Sequence, residues 1–80
     1  MTKVEYEKCK KLMEDAINKT KQAEIEYNTA QGFLNCENRI AYEIETRKAD
    51  QHYGYAEGIN QVLTVIGFKH DRMKELSGLL

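Results

Sequence analysis

The side chains that could do nucleophilic or metal chemistry are few in this chain of 80 residues, and they stand far apart. Its two cysteines, Cys9 and Cys36, form no C-x-x-C motif of the kind that activates a thiol. Its two histidines, His52 and His70, belong to neither an H-E-x-x-H motif nor a Glu-x-x-His pair, the patterns typical of zinc and di-iron sites. We interpret Cys9 and His52 as core or interface residues, and we predict no metal, no cofactor and no catalytic residue.

Acid–base catalysis is the other chemistry that the composition allows, because the chain has 13 acidic residues. Pairs two residues apart, such as Glu24 and Glu26, project from different sides of a helix and cannot share a proton. The chain has neither a glycine-rich phosphate loop nor a G-x-S-x-G motif. A solvated charged face is the simpler interpretation, and we predict that the protein is not an enzyme.

Nucleic-acid binding would require a basic surface, and the formal net charge of −1 argues against a generic nucleic-acid binder. Two basic clusters exist, but nearby acidic residues dilute both. The first comprises Lys8, Lys10 and Lys11, and the second comprises Lys69, His70, Arg72 and Lys74. A helix-turn-helix would also need two short helices and a tight turn, whereas this chain offers two long helices.

The cysteine count and the first 20 residues bear on where the protein works. Two cysteines cannot build a disulfide framework, and residues 1–20 are too charged for the apolar segment of a signal peptide. No apolar run approaches the ~20 residues that cross a membrane. We therefore expect a cytoplasmic protein without membrane contact.

The composition favours helices, since the chain lacks proline and is rich in lysine, glutamate, alanine and isoleucine. We predict one all-α domain over residues 1–80. A domain this short buries only about 60% of the surface that its unfolded chain exposes. Oligomerisation is a usual source of the missing stability.

Small and apolar residues recur in steps of three and four through the first helix, predicted over about 3–33. Thr2 and Glu5 form a capping box that starts it. The seam consists of Tyr6, Cys9, Met13, Ala16, Thr20, Ala23, Tyr27, Ala30 and Leu34. This heptad pattern indicates a helix packed closely against an antiparallel partner. Because the alanines allow that close approach, a leucine at Ala23 is expected to destabilise the protein.

A turn is predicted at about 34–38, between the first helix and a second. Gly32, Asn35 and Asn38 are turn and cap residues, and either asparagine could N-cap the second helix. The phase of the apolar seam also shifts by one residue beyond this point. The alternative is one uninterrupted helix of roughly sixty residues or more with a local skip in the heptads.

The second helix is predicted over about 38–66, and its last part is the most apolar stretch of the chain. Its seam contains Ala49, His52, Ala56, Ile59, Leu63 and Ile66. Val62 and Val65 widen this face, and Gly67 stops the helix because glycine adopts the left-handed conformation. Gly54 and Gly58 lie inside the helix, where each costs ~1 kcal/mol relative to alanine. We expect a close backbone contact to compensate for that cost.

The segment after Gly67 is predicted to form a short helix over about 71–78, with Asp71 as its N-cap. It follows a helix stop, so we expect that the hairpin does not need it, and it has too many apolar residues for a solvated tail. We predict that it binds a partner, helped by two tyrosines that lie off the seams. The predicted partner-binding residues are Phe68, Lys69, Arg72, Met73, Leu76, Tyr42 and Tyr55. The alternative is that the segment folds back over its own bundle.

The stretch from Tyr53 to Phe68 resembles the ending of small, uncharacterised helical proteins from bacteriophages of Gram-positive hosts. Those proteins often close with an aromatic-Gly-x-x-x-Gly-Ile pattern, seen here from Tyr53 to Ile59, followed by an amphipathic segment that ends in Gly-aromatic. The likeness covers about a fifth of the chain. It implies a mobile-element origin and the host cytoplasm as the place of action, and it transfers no functional residue.

These patterns together predict an antiparallel, coiled-coil-like helical hairpin with an alanine-rich seam and a short C-terminal helix. We expect two such chains to form a four-helix bundle, because one hairpin cannot cover all its apolar faces. The function we infer is non-enzymatic protein–protein interaction, as a phage-type modulator or inhibitor of a host or defence protein. The alternatives are a structural or morphogenetic coiled-coil component and a small DNA-binding regulator.

Overall fold

The computed structural model describes residues 1–80 and consists of three helices without a strand. They are α1 (Lys3–Asn35), α2 (Arg39–Val65) and α3 (Met73–Leu79). The two long helices pack antiparallel along a molecule of 52 × 17 × 17 Å, and α3 lies against both. The predicted all-α hairpin with a short C-terminal helix is confirmed, and the uninterrupted helix is excluded. None of the three helices combines the length and apolar character needed to span a membrane.

The predicted capping box starts α1. The Thr2 hydroxyl accepts a hydrogen bond from the Glu5 backbone N–H at 3.1 Å, and the Thr2 N–H donates to the Glu5 carboxylate at 3.4 Å. The two bonds satisfy donors that the first turn of a helix otherwise leaves unpaired. Interaction of the Glu5 carboxylate with the Thr2 side chain and with the Thr2 backbone N–H holds the Glu5 pKa below its ordinary value, because both stabilise the charged form.

The turn between α1 and α2 is held by paired backbone hydrogen bonds. The Asn38 N–H donates to the Phe33 carbonyl at 2.9 Å, and the Glu37 N–H donates to the Leu34 carbonyl at 3.0 Å. This is a Schellman motif, and its residue in the left-handed region is Glu37, with a φ of 60°. The Asn38 side chain then accepts from the Ala41 N–H at 3.2 Å and caps α2.

Replacing Glu37 with glycine is expected to raise the free energy of unfolding by about 1 kcal/mol, because glycine adopts a positive φ without the steric cost that a Cβ adds. Urea denaturation followed by circular dichroism measures the change. Gly67 is the matched control, since it ends α2 in the same motif with a φ of 78°. Gly67→Ala should lower stability, and an unchanged stability in Glu37→Gly would contradict the turn geometry.

Most of the predicted α1 seam is buried. Its buried members are Cys9, Met13, Ala16, Thr20, Ala23 and Ala30. Tyr6 and Tyr27 are wrongly placed in the seam, because each has more than a third of its surface exposed. Ile17 and Glu26 are buried although the heptad pattern omits them. The seam is wider than two helices require, because α3 covers part of α1 as well.

The α2 seam is confirmed at Ala49, Ala56 and Leu63, which are buried. Val62, Val65 and Ile66 were predicted to belong to the same face, and this prediction is wrong because all three are exposed. A helix that packs on one neighbour along its length buries one stripe, and these three residues lie beyond its edge.

The C-terminal segment folds back onto the hairpin, which corrects the expectation that the hairpin does not need it. Phe68 and Leu76 are buried in one cluster with Met13, Ile17 and Leu63. This cluster fills the open end of the hairpin, whereas the buried apolar residues toward the turn are Ala23, Ala30 and Ala49. The N-cap of α3 is Arg72 rather than the predicted Asp71.

Candidate functional site

The apolar residues predicted to bind a partner are largely used inside the fold. Phe68 and Leu76 belong to the core, and Met73 packs against it while half-buried. Leu76 therefore presents no surface to a partner, so the prediction is wrong for this side chain, whereas Phe68 keeps 4% of its surface exposed and lines an open cleft beside α3. Tyr53 fixes the end of the same segment, because its hydroxyl donates a hydrogen bond to the Leu80 carbonyl.

The basic residues of this segment divide into a paired and an unpaired set. Arg72 Nε donates to the Glu75 carboxylate at 3.0 Å, and Lys21 of α1 reaches the same carboxylate at 3.6 Å. The Arg72 hydrogen bond lowers the Glu75 pKa, and the interaction raises the pKa of Arg72. Lys69 and Lys74 are exposed and form no salt bridge. The positive charge left free in the predicted cluster is thus that of the two lysines.

Two of the exposed tyrosines interact with carboxylates on the opposite helix. Tyr27 donates to Asp50 at 2.5 Å, and this hydrogen bond raises the pKa of Tyr27 to about 12. The Tyr55 hydroxyl interacts with the Asp15 carboxylate, which raises the Tyr55 pKa. Each phenol is stabilised in its neutral form, since ionisation would place two negative charges side by side. These two contacts link α1 to α2. Tyr42, the other tyrosine predicted to bind a partner, is half-buried in α2.

A buried carboxylate faces His52 at the middle of the hairpin. Glu26 is buried, and its Oε1 is hydrogen-bonded to His52 Nδ1. A buried carboxylate needs such a partner, because an unpaired charge is costly away from water. His52 is therefore a hydrogen-bonded seam residue, as the sequence indicated, and Cys9 lies in the core. No group of three or more histidine, cysteine or acidic residues comes together at a spacing that could hold a metal ion.

Several exposed apolar residues lie along the outer side of α2, which we call the outer α2 face. It consists of Ile40, Ile44, Gln51, Gly58, Val62 and Val65, with Tyr55 at the edge nearest α1 and the exposed Arg47 inside the same arc. At 100° per residue they fall within an arc of about 80°, on the side away from the core. Ile40 and Val65, at the two ends, are 75% and 79% exposed. Scattered exposed apolar residues are ordinary, but aligned clusters of them are candidate interaction surfaces. Here the apolar residues form two groups, Ile40 with Ile44 and Val62 with Val65, and Arg47 and Gln51 lie between them.

Two glycines lie on or beside this face. Gly54 and Gly58 were expected to allow a close backbone contact, but a Cβ at either position would meet nothing within 4 Å. Packing within one chain therefore does not explain why glycine occupies positions 54 and 58. The glycines leave a shallow notch in the outer α2 face, where a side chain from outside can approach the helix backbone.

The outer α2 face is the candidate surface that sequence reasoning missed. Its signal was present, because Ile40, Ile44, Val62 and Val65 share a phase distinct from Ala49, Ala56 and Leu63. In the most apolar stretch of the chain, residues of the two phases stand next to each other, so the sequence analysis assigns them to one broad face. Comparison with protein families, with curated protein sequences and with solved structures finds no match to this chain.

Proposed function

We propose that this protein is a non-enzymatic interaction module that pairs with a second copy of itself through the outer α2 face. The observation that carries the proposal is the exposed stripe of Ile40, Ile44, Val62 and Val65 on a helix whose opposite side already forms the core. Two hairpins joined in this way make the four-helix bundle expected for paired helical hairpins.

The stripe is complementary to itself when two α2 helices run antiparallel around a twofold axis at Gln51. Each residue then faces the one equally far on the other side of Gln51. Ile44 of one copy faces the Gly58 notch of the other, Ile40 faces Val62, and Arg47 faces Tyr55. Val65 lies beyond the paired stretch, opposite the turn at Glu37. A large residue opposite a glycine lets the helices approach closely. An isologous contact of this kind closes the assembly at two chains.

Light scattering at micromolar concentration is expected to give twice the mass of one 9.3 kDa chain. Ile44→Glu should return the protein to the single-chain mass, because it places a charge in the apolar contact between Ile44 and the Gly58 notch, on both sides of the twofold axis. Ile25→Glu is the matched control, since Ile25 is an exposed isoleucine on α1. The control should leave the mass unchanged. A wild-type mass of one chain, or equal effects of the two substitutions, would contradict the proposal.

The finer part of the proposal is that the dimer binds and modulates a second protein, of the host or defence kind that the phage resemblance implies. Around the twofold axis at Gln51, the C-terminal segments of the two copies lie at opposite ends of the dimer. Each then presents Lys69 to solvent. Affinity capture with the wild type and with Ile44→Glu tests this part. A stoichiometric partner bound by the wild type alone is expected, and equal capture by both would separate partner binding from dimerisation.

A further inference from the structure

We propose that an open cleft between the end of α2 and α3 binds small molecules that carry a phosphate monoester. The cleft has a volume of about 490 Å³, within the range of ~300–1,000 Å³ typical of small-molecule sites. Lys69, His70 and Lys74 line it from the C-terminal segment, and Thr64 lines it from α2. None of these residues belongs to the outer α2 face, so the inference does not depend on the proposed dimer.

The charge of the cleft selects a dianion. Lys69 and Lys74 are exposed, and no carboxylate lies within salt-bridge distance of either ammonium group. Glu75, which is close in sequence, is engaged by Arg72 and Lys21 instead. A phosphate monoester carries roughly −1.5 to −2 charges at pH 7, whereas a carboxylate carries one. The monoester is therefore the better electrostatic match for two free lysines.

His70 adds a hydrogen-bond donor whose orientation is fixed. Its Nδ1 accepts from the Arg72 backbone N–H at 3.0 Å, so the neutral ring carries its proton on Nε2. The ring is also stacked on Phe68, with the ring centroids 6.1 Å apart. With Nδ1 occupied, the free Nε2–H is the ring's contribution to an anion in the cleft.

The remaining walls suit the organic part of the ligand. Phe68 and Met73 are the two hydrophobic residues of the lining. Ser77 is the most adaptable polar group, because its hydroxyl is held only by a long 3.4 Å hydrogen bond to Asn60 Oδ1. An apolar floor beneath charged and hydroxyl groups is the usual composition of a small-molecule site. We therefore expect an aromatic or aliphatic monoester to bind better than phosphate alone.

Titration with phenyl phosphate, followed by amide chemical shifts in ¹H–¹⁵N spectra of the full chain at pH 7, tests the inference. Saturable shifts are expected at Thr64 and in residues 68–77. The double variant K69Q/K74Q should weaken binding about tenfold or more, since it removes two charge-assisted contacts. The matched control K8Q/K11Q removes the same charge from exposed lysines of α1 and should change the affinity less than about twofold.

Three outcomes would overturn the inference. Equal weakening in the two double variants would mean that only the overall charge matters. Benzoate or inorganic phosphate binding as tightly as phenyl phosphate would remove the selectivity for a monoester. Shifts confined to residues outside 64–77, or shifts that fail to saturate below about 20 mM, would show that the cleft is not a site, because such a ligand would bind with less than about 2.3 kcal/mol.

Discussion

Leu76→Ala is expected to lower the free energy of unfolding by about 2–5 kcal/mol, the usual cost of removing a fully buried leucine side chain. Leu76 has no exposed surface and packs in the cluster that also contains Met13, Ile17 and Leu63. For a domain of this size the loss is a large part of the total stability. Urea denaturation at one fixed protein concentration measures it, because dimerisation would make stability depend on concentration.

Leu12→Ala is the matched control for this prediction, because Leu12 is a leucine of α1 with 39% of its surface exposed. Its substitution should cost clearly less than that of Leu76. Truncation after Phe68 should destabilise at least as much as Leu76→Ala, since it removes the whole of α3. Unchanged stability in the truncated protein would mean that the C-terminal segment is not part of the core.

Ala16→Leu is expected to cost about 1–3 kcal/mol, because the extra methylenes have no room in a packed core. Ala16 is fully buried in the same cluster as Cys9 and Met13. Thermal unfolding followed by circular dichroism is a sufficient measurement. The effect should exceed that of most surface substitutions, which stay within about 0.5 kcal/mol.

Ala23→Leu provides the internal comparison for Ala16→Leu. Ala23 is also buried, but it borders an open cavity of about 200 Å³ beside Tyr27 and Leu79. A leucine there can extend into the cavity, so its cost should be smaller than at Ala16. A larger loss at Ala23 than at Ala16 would contradict the packing described for the hairpin.

The hairpin could be predicted from the sequence because several local signals agreed. Thr2 and Glu5 marked the start of α1, Asn38 marked the start of α2 and Gly67 marked its end. The repeated alanines indicated the side on which the long helices meet. Each of these signals depends on residues that are close together in the chain, so it can be identified from a single sequence.

The docking of the C-terminal segment could not be predicted in the same way. Its apolar residues indicated that it must be covered, but the same pattern serves a partner and the chain's own core. The buried Glu26 was missed for a related reason, since a charged residue is buried only where a partner such as His52 satisfies it. Both facts depend on residues that are distant in sequence.

The two faces of α2 show most clearly what periodicity in a sequence cannot distinguish. Leu63 and Val62 are adjacent apolar residues, yet the first is buried in the core and the second is exposed. Periodicity identifies both as apolar helical positions, but it does not indicate how many neighbours the helix has. Only the position of α1 and α3 separates the core side from the outer α2 face.

A cysteine placed at Gln51 tests the proposed pairing of two outer α2 faces. Packed helices have axes about 8–10 Å apart and Cα radii of about 2.3 Å, which brings facing Cα atoms to roughly 3.4–5.4 Å, a range that overlaps the ~4.4–6.8 Å between Cα atoms of a disulfide. The experiment uses a Cys36→Ser background, because Cys36 is exposed whereas Cys9 is buried. Gln22→Cys, an exposed position on α1, is the matched control.

Under mild oxidation, Gln51→Cys is expected to form a disulfide-linked dimer rapidly and nearly completely, and Gln22→Cys to remain monomeric on a non-reducing gel. Adding Ile44→Glu to the Gln51→Cys protein should abolish the cross-link. Equal cross-linking at positions 22 and 51, or none at position 51, would contradict an interface centred on the outer α2 face.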